Sequence, residues 1–161
     1  MPRKKGDPMG TIVVGIDGSN GSQRALEWAL TEAKLRGDEI LALHAWTYPT
    51  VVGTAFATVV MPLPAAELDK EAAEFLQREI KEVTGGDESV VIRREVAQDP
   101  AASALVRASA EADMLVIGSR GFGGFRGLLL GSVGHQCVQH AVCPIVIIPH
   151  DERTTPEEAG E

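Results

Sequence analysis

Gly118-Ser-Arg-Gly-Phe-Gly-Gly-Phe-Arg-Gly-Leu-Leu-Leu-Gly-Ser132 is a glycine-rich segment, with six glycines among the fourteen residues 118–131. It follows the short apolar run Met114-Leu-Val-Ile117, which predicts a buried strand. It precedes residues 133–141, whose composition predicts a short helix that Ser132 would cap. A glycine loop that ends at a helix N-terminus presents main-chain N–H groups at the positive end of the helix dipole. The segment therefore predicts an anion-binding loop, most simply for phosphates.

The glycine spacing of this loop distinguishes between known phosphate-binding motifs. The Walker motif needs a lysine after its second glycine, and this loop contains none. The dinucleotide motif Gly-x-Gly-x-x-Gly begins at Gly121 and Gly123 but has Arg126 in place of its third glycine. The spacing that the loop does contain is Gly118-x2-Gly121-x9-Gly131-Ser132. The alternative is a surface loop without a ligand, although loops this long in compact domains are usually functional or disordered.

Length and composition predict one soluble domain. At 161 residues, of which 44% are hydrophobic, the chain is long enough to bury a substantial core. No apolar run reaches the length that spans a membrane, and the N-terminus lacks the apolar centre of a signal peptide. We therefore expect a cytoplasmic protein that does not contact membranes.

The charge balance and the cysteines argue against several classes of function. The net charge is −8, with 23 acidic and 15 basic residues, which disfavours nucleic-acid binding because that binding relies on attraction to phosphates. A nucleotide in a locally positive pocket is compatible with this charge. Cys137 and Cys143 make neither a disulfide framework nor a metal site. Their apolar neighbours predict buried thiols, with a redox role as the alternative.

Apolar runs and helical segments alternate along the chain. Strands are expected at 11–17, 39–46, 89–96, 113–117 and 144–149. Helices are expected at 21–36, 65–83, 100–110 and 133–141, the third with Asp99 as its N-cap and Pro100 at its first position. Strands that alternate with helices predict a single-domain α/β fold, in which helices cover both faces of a parallel sheet.

Three segments lie outside this alternation. Residues 1–10 are basic and polar and predict a disordered leader, in which Met9 is an alternative start. Residues 151–161 predict a disordered acidic tail, so that the domain spans 11–150. Residues 51–62 are irregular but apolar, and they either fold onto the sheet edge or form a lid or a partner-contact surface.

Two of the expected strands end in a turn that combines glycine with a hydroxyl group. These turns are Asp17-Gly-Ser19 after the first strand and Gly118-Ser119 after the fourth. Open parallel sheets bind ligands beyond the carboxyl ends of their strands, at the place where the strand order reverses. If the two strands are neighbours across that reversal, one crevice contains both turns and binds the ligand.

Several segments resemble the universal stress protein family. They are Ile12-Val-Val-Gly-Ile-Asp-Gly-Ser19, Leu43-His-Ala45, Val116-Ile-Gly-Ser-Arg-Gly121, and Gly131-Ser-Val133 with Cys143-Pro-Ile-Val-Ile-Ile-Pro149. The glycine spacing resembles the signature of the ATP-binding subclass, and the likeness covers roughly residues 10–150. The resemblance implies a Rossmann-like sandwich around a five-stranded parallel sheet of order 3-2-1-4-5. It also implies a homodimer in which the terminal strands at 144–149 of two subunits pair.

The resemblance implies a site for the base and ribose of ATP, carried over position by position. Asp17 would lie beside the base and ribose, and its alternative role is to brace the turn that Gly18 and Ser19 form. The main chain of Ala45 would face the adenine. Ile117 would pack on the base or the ribose.

The resemblance also implies a phosphate site in the glycine loop. Gly118 and Gly121 would let the main chain approach the ligand closely. Gly131, Ser132 and Val133 would bind the phosphates through N–H groups and a hydroxyl. The cofactor would be ATP, with any Mg2+ carried by the triphosphate rather than by a separate protein site.

Other polar side chains near these positions have simpler explanations. Arg120 and Arg126 either neutralise phosphate charge or are solvated. His44 is expected to pack on the sheet. His135 and His140 are spaced too far apart on their helix for a metal pair.

The chain lacks the sequence features of a hydrolase. It has no Gly-x-Ser-x-Gly motif, no cluster of metal ligands and no loop lysine to polarise a γ-phosphate, so we expect at most a weak ATPase. The resemblance implies an ATP-binding regulator of a stress response or of signalling. The alternative is a dimeric scaffold whose 51–62 loop contacts an unknown protein partner. A third, weaker hypothesis is an enzyme that acts on an adenylated intermediate.

Overall fold

The computed structural model describes residues 8–48, 63–122 and 129–150. The loop 51–62, the tail 151–161, Arg126 and residues 1–7 lie outside the described part of the chain. Within the described part, no helix is both long enough and apolar enough to cross a membrane.

The described residues form one sheet of five parallel strands. The strands are β1 (Thr11–Gly15), β2 (Glu39–Trp46), β3 (Ile92–Gln98), β4 (Met114–Gly118) and β5 (Ile145–Ile148). Their order is β3-β2-β1-β4-β5, and every neighbouring pair is parallel, which confirms the expected topology. The strand order reverses between β1 and β4, and ligands bind at this place in open α/β sheets.

Helices cover both faces of the sheet, as predicted. In the described residues they are α1 (Asn20–Arg36), α2 (Ala65–Thr84), α3 (Ala101–Ala108) and α4 (Ser132–His140), with a 3-10 turn, Ser109–Glu111, after α3. α1 and α2 pack on the face that carries Ile12 and Val14. α3 and α4 pack on the face that carries Val13 and Leu115. Because successive side chains of a strand point to opposite faces, an unbroken apolar run such as that of β1 fills both halves of the core.

Every strand except β2 differs from its predicted bounds by one to three residues at one or both ends, and at two of these ends a turn explains the difference. β3 begins at Ile92 rather than at 89, because the N–H of Ser89 donates to Oδ1 of Asp87 at 2.9 Å and holds this residue in a turn. β1 ends at Gly15 rather than at 17, because the N–H of Asp17 donates to Oγ of Ser22 at 3.3 Å, outside the sheet.

Two predicted helix caps are wrong. Gly131, not Ser132, has the extended backbone of an N-cap, so Ser132 is the first residue of α4, and no side chain of the described residues caps the helix. Pro100, not Asp99, is the N-cap residue of α3. The carboxylate of Asp99 accepts a hydrogen bond of 2.6 Å from Arg107 instead. Arg107, two helical turns further along, thus binds the carboxylate that would otherwise be able to cap the helix.

Glycine residues end two of the helices. Gly37 follows α1 at φ 71° and Gly85 follows α2 at φ 60°, and both are in the left-handed conformation that glycine adopts without strain.

Candidate functional site

A cleft of about 520 Å³ opens at the carboxyl ends of the central strands, within the range of about 300–1,000 Å³ typical of small-molecule sites. The turns after β1 and β4 both line it, because these strands are neighbours. The two glycine-and-hydroxyl turns therefore meet in one crevice, as expected from the sequence.

Every predicted contact position except Gly18 lines this cleft. The lining positions are Asp17, Ser19, Ala45, Ile117, Gly118, Gly121, Gly131, Ser132 and Val133. Gly18 lies at φ 80°, and a Cβ built on it would stand 2.9 Å from Cζ of Phe75 and 3.4 Å from Cε2 of Phe122. This glycine shapes the turn without lining the cleft.

The structure adds lining residues that sequence reasoning did not select. They are Gly15, Ile16, Ser22, Leu43, Ala101, Leu105, Phe122 and Gly134. Ser119, whose turn the sequence placed in the crevice, and Arg120, which the sequence left undecided, line it too. Leu43 lies two residues before Ala45 and shares its face of β2, so the strand period could have identified it. Ala101 and Leu105 come from α3 and carry no comparable local signal.

The turn after β1 is braced by its own side chains. Oδ1 of Asp17 accepts hydrogen bonds from the N–H of Ser19, at 2.9 Å, and from the Ser19 hydroxyl. Oγ of Ser19 accepts the N–H of Ser22 at 3.2 Å and so caps α1. Asp17 therefore has the bracing role, and its second oxygen, Oδ2, is directed toward Gly121.

Gly118 is required by packing between main chains. A Cβ built on Gly118 would stand 2.7 Å from the carbonyl carbon of Gly21, and a Cβ on Gly21 would stand 2.9 Å from the carbonyl oxygen of Arg120. The two glycines let the start of α1 contact the end of β4 directly. The sequence predicted close approach of a ligand at Gly118, and the structure shows close approach of a helix.

The N-terminus of α4 provides the hydrogen-bond donors of the cleft. The first hydrogen bond of the helix runs from the N–H of His135 to the carbonyl of Gly131, at 2.9 Å. The amides of Ser132, Val133 and Gly134 precede it and have no partner among the described residues, as is usual in a first helical turn. All three residues line the cleft.

The N–H of Gly131 is already engaged. It donates to the carbonyl oxygen of Ser119 at 2.7 Å, so it is not available to a phosphate in this conformation. The amides available to a ligand are therefore those of residues 132–134, whereas the sequence predicted those of residues 131–133.

The lining of the cleft combines two kinds of group. Apolar side chains, which we call the apolar wall, come from Leu43, Ala45, Ala101, Leu105 and Ile117. The first turn of α4 contributes main-chain amides and a hydroxyl, and Arg120 contributes a positive charge. This lining can hold a ligand that has an apolar part and an anionic part.

The histidines and cysteines do not form part of a metal site in the described residues, where no group of three metal-ligating side chains occurs. Nδ1 of His44 lies 2.7 Å from the carbonyl of Ile16, and its ring packs on Phe75, as expected for a structural histidine. Cys137 is buried as predicted, whereas Cys143 is only partly buried. Burial raises the pKa of both thiols above the ordinary value.

Comparison with known sequences identifies related proteins. The sequence model of the universal stress protein family matches residues 9–149. The universal stress protein Rv2623 of Mycobacterium tuberculosis H37Rv is 35% identical over 150 residues, which cover 91% of this chain and 46% of that protein. Rv1996 of the same strain is 34% identical over 158 residues, covering 93% of this chain and 48% of that protein. The chain thus spans about half the length of the curated relatives it matches.

Solved structures share the fold. The universal stress protein UspA of Lactobacillus plantarum has a TM-score of 0.71 at 20% identity, covering 88% of this chain and 99% of that one. A universal stress protein in complex with cAMP has a TM-score of 0.59 at 24% identity, covering 88% and 98%. A family protein of Arabidopsis thaliana with AMP bound has a TM-score of 0.56 at 20% identity, covering 94% and 97%. At these identities the likeness shows the Rossmann-like fold alone.

Proposed function

The chain belongs to the universal stress protein family, and from this premise we propose that it binds an adenine nucleotide, ATP in particular, in the cleft between β1 and β4. One observation carries the proposal: the α4 amides that have no partner among the described residues and the apolar wall line the same cleft. Structures of related proteins with cAMP and with AMP support this class of ligand.

The apolar wall would receive the base and the ribose. Ala45 and Ile117 lie on this wall, as the resemblance to the family implied, and Leu105 adds an apolar surface from α3. Asp17 would accept a hydrogen bond from a ribose hydroxyl through Oδ2, because Oδ1 already accepts two hydrogen bonds from Ser19.

The α4 end of the cleft would receive the phosphates. The amides of Ser132, Val133 and Gly134 would donate to phosphate oxygens, as helix N-termini commonly do. The Ser132 hydroxyl and the Arg120 guanidinium would add a donor and a positive charge. Mg2+ would be held mainly by the triphosphate, because no cluster of metal ligands lies in the described residues.

We propose that the protein holds ATP rather than hydrolysing it rapidly. Within the described part of the chain, the charged side chains that line the cleft are Asp17 and Arg120. The carboxylate of Asp17 braces a turn, which is a poor starting position for activating a water molecule. Nucleotide occupancy would then act as a signal, and the protein would serve as a nucleotide-dependent regulator in the cytoplasm.

A homodimer through β5 is part of the same proposal. β5 is an edge strand, and Ile145, Val146 and Ile147 are only partly buried. Val142, just before the strand, is exposed. An apolar edge of this kind is suited to pairing with a second subunit. The scaffold alternative depends on residues 51–62, which lie outside the described chain.

Thermal unfolding with Mg·ATP, ADP, AMP and cAMP tests the proposal. At a ligand concentration of about 100 times Kd, binding stabilises the folded state by about 2.7 kcal/mol. For a domain of this size, we expect a rise in Tm of about 5–11 °C with ATP and a smaller rise with AMP. Protein that is free of bound ligand and shows the same Tm with all four nucleotides would refute the proposed function.

A further inference from the structure

The chain that leaves β5 is hydrogen-bonded at three consecutive residues, two of them to the turn after β4 and one to α1. The N–H of Ser119 donates to the carbonyl of Ile148 at 2.8 Å. The guanidinium of Arg24 donates to the carbonyl of Pro149 at 2.8 Å. The N–H of His150 donates to Oγ of Ser119 at 3.0 Å. This exit segment, Ile148 to His150, is therefore held from both the β4 turn and α1.

Ser119 also holds the start of α4. Its carbonyl oxygen accepts the N–H of Gly131 at 2.7 Å, directly before the amides that face the cleft. Ser119 is only 5% exposed and lines the cleft. Its N–H, carbonyl and hydroxyl thus bond to segments that are far apart in sequence.

The hydroxyl has a specific reason to be at this position. The next N–H of this segment that faces β4 after Ile148 is that of His150, and in a continued parallel ladder it would donate to the carbonyl of Ser119. That carbonyl already accepts the N–H of Gly131, and the Ser119 hydroxyl accepts the His150 N–H instead. Alanine at this position would leave that N–H without a partner.

The turn that contains Ser119 has little freedom to absorb a movement. Gly118, its neighbour, packs against the main chain of Gly21, where a Cβ on Gly118 would stand 2.7 Å away. The bonds that Ser119 makes to the exit segment and to Gly131 therefore start from one tightly packed turn.

We infer that Ser119 is a positioning residue that couples the exit segment after β5 to the N-terminus of α4. Release of the exit segment loosens the helix end that faces the cleft, and a ligand at that helix end tightens the exit segment. This reciprocity follows from thermodynamic linkage. The effect on ligand binding rests on the proposed function, whereas the coupling itself is a property of the ligand-free protein.

Amide hydrogen exchange on the ligand-free protein tests the coupling. In Ser119→Ala, we expect exchange to become about fivefold faster at the His150 amide and also at the Gly131 amide, which is the size of effect that one hydrogen bond produces. Arg24→Ala, which releases Pro149 without altering the cleft lining, should accelerate the same two amides. Faster exchange at His150 with no change at Gly131 in both variants would overturn the inference.

Ser109→Ala is the matched control. The Ser109 hydroxyl is also buried and accepts the N–H of Val142, at 3.1 Å, before β5 rather than after it. Ser109 does not line the cleft. This variant should accelerate exchange at Val142 and leave Gly131 unchanged. Ser119→Thr keeps a hydroxyl and should restore protection at His150.

A second measurement links the coupling to the ligand. By calorimetric titration with Mg·ATP, Ser119→Ala and Arg24→Ala should bind about fivefold more weakly than the wild type, and Ser109→Ala should bind equally well. In the wild type, ATP should slow exchange at His150. If both variants bind Mg·ATP as tightly as the wild type, the proposed effect of the coupling on ligand binding is wrong. A wild type that binds no nucleotide would refute the proposed function, and exchange in the ligand-free protein would still decide the coupling.

Discussion

Asp17 and Gly121 lie against each other in the cleft, and a Cβ built on Gly121 would stand 2.5 Å from Oδ2 of Asp17 and 3.7 Å from its carboxyl carbon. This contact joins the turn after β1 to the turn after β4. A side chain at position 121 would therefore have to displace this carboxylate, whether or not a ligand is bound. Two residues that resemble family ATP contacts are thus also each other's packing partners.

Gly121→Ala should destabilise the protein by displacing this carboxylate. Both residues are exposed and Oδ2 is the end of a side chain, so the carboxylate can move aside and we expect a loss of about 0.5 kcal/mol. Because the displaced atom is Oδ2 of Asp17, the same substitution should cost less in an Asp17→Ala background. Urea unfolding of the four proteins of this double-mutant cycle measures the difference. Equal costs in both backgrounds would show that the contact does not constrain Gly121.

Gly118→Ala should be at least as destabilising, for a different reason. The added Cβ would meet the carbonyl carbon of Gly21 at 2.7 Å, and a main-chain atom cannot move aside as a side chain can. Urea unfolding should show a loss of about 1–3 kcal/mol or more. Gly131→Ala is the matched control, because its nearest contact would be 3.6 Å, an ordinary van der Waals distance. A Gly118→Ala protein as stable as the control would contradict this packing.

Gly131→Val should remove nucleotide binding while the fold persists. Gly131 has φ −73° and ψ 171°, a conformation open to any residue, so valine introduces no backbone strain. Its side chain would occupy the space between α4 and the turn at Ser119 and Arg120. Circular dichroism and unfolding should resemble those of the wild type, and calorimetry should show no ATP binding. Loss of the fold, or undiminished affinity, would count against the assigned phosphate site.

Stability should fall in alkaline solution through Cys137. Burial raises the pKa of this thiol above its ordinary value of 9.0, so the unfolded chain releases the proton at lower pH than the folded protein does. The stability that the buried, protonated thiol contributes is complete below about pH 9 and is lost as the pH rises through the folded-state pKa. Urea unfolding at about pH 8 and about pH 10 should show a smaller decline for Cys137→Ala than for the wild type. If the free energy of unfolding declines equally in both proteins, the Cys137 thiol is not the source of the pH dependence.

The architecture could be predicted because its signals are local. β2 has the predicted bounds, 39–46, because Gly37 stops the preceding helix and leaves an uninterrupted apolar run after it. The alternation of elements then determines a parallel sheet, and the family resemblance gives the strand order. The predicted start of β3 is wrong because the carboxylate of Asp87 accepts the N–H of Ser89 and holds it in a turn. The predicted cap at Asp99 is wrong because its carboxylate binds Arg107.

The details of the site could not be predicted, because they depend on contacts between distant parts of the chain. Nothing in the sequence near Gly118 indicates that Gly21 lies against it. The bond from the Gly131 N–H to Ser119, which changes the set of available donors, likewise closes only in the folded chain. The sequence identifies nine of the residues that line the cleft, whereas the fold decides which of their atoms face a ligand.

The most direct test of the central claim is an amide chemical-shift titration of the labelled protein with Mg·ATP. The account predicts saturable shifts that are largest at the amides of Ser132, Val133 and Gly134, with further shifts at Ala45 and Gly121. Saturable shifts confined to another surface, or no saturable shift at any ATP concentration, would contradict nucleotide binding in this cleft.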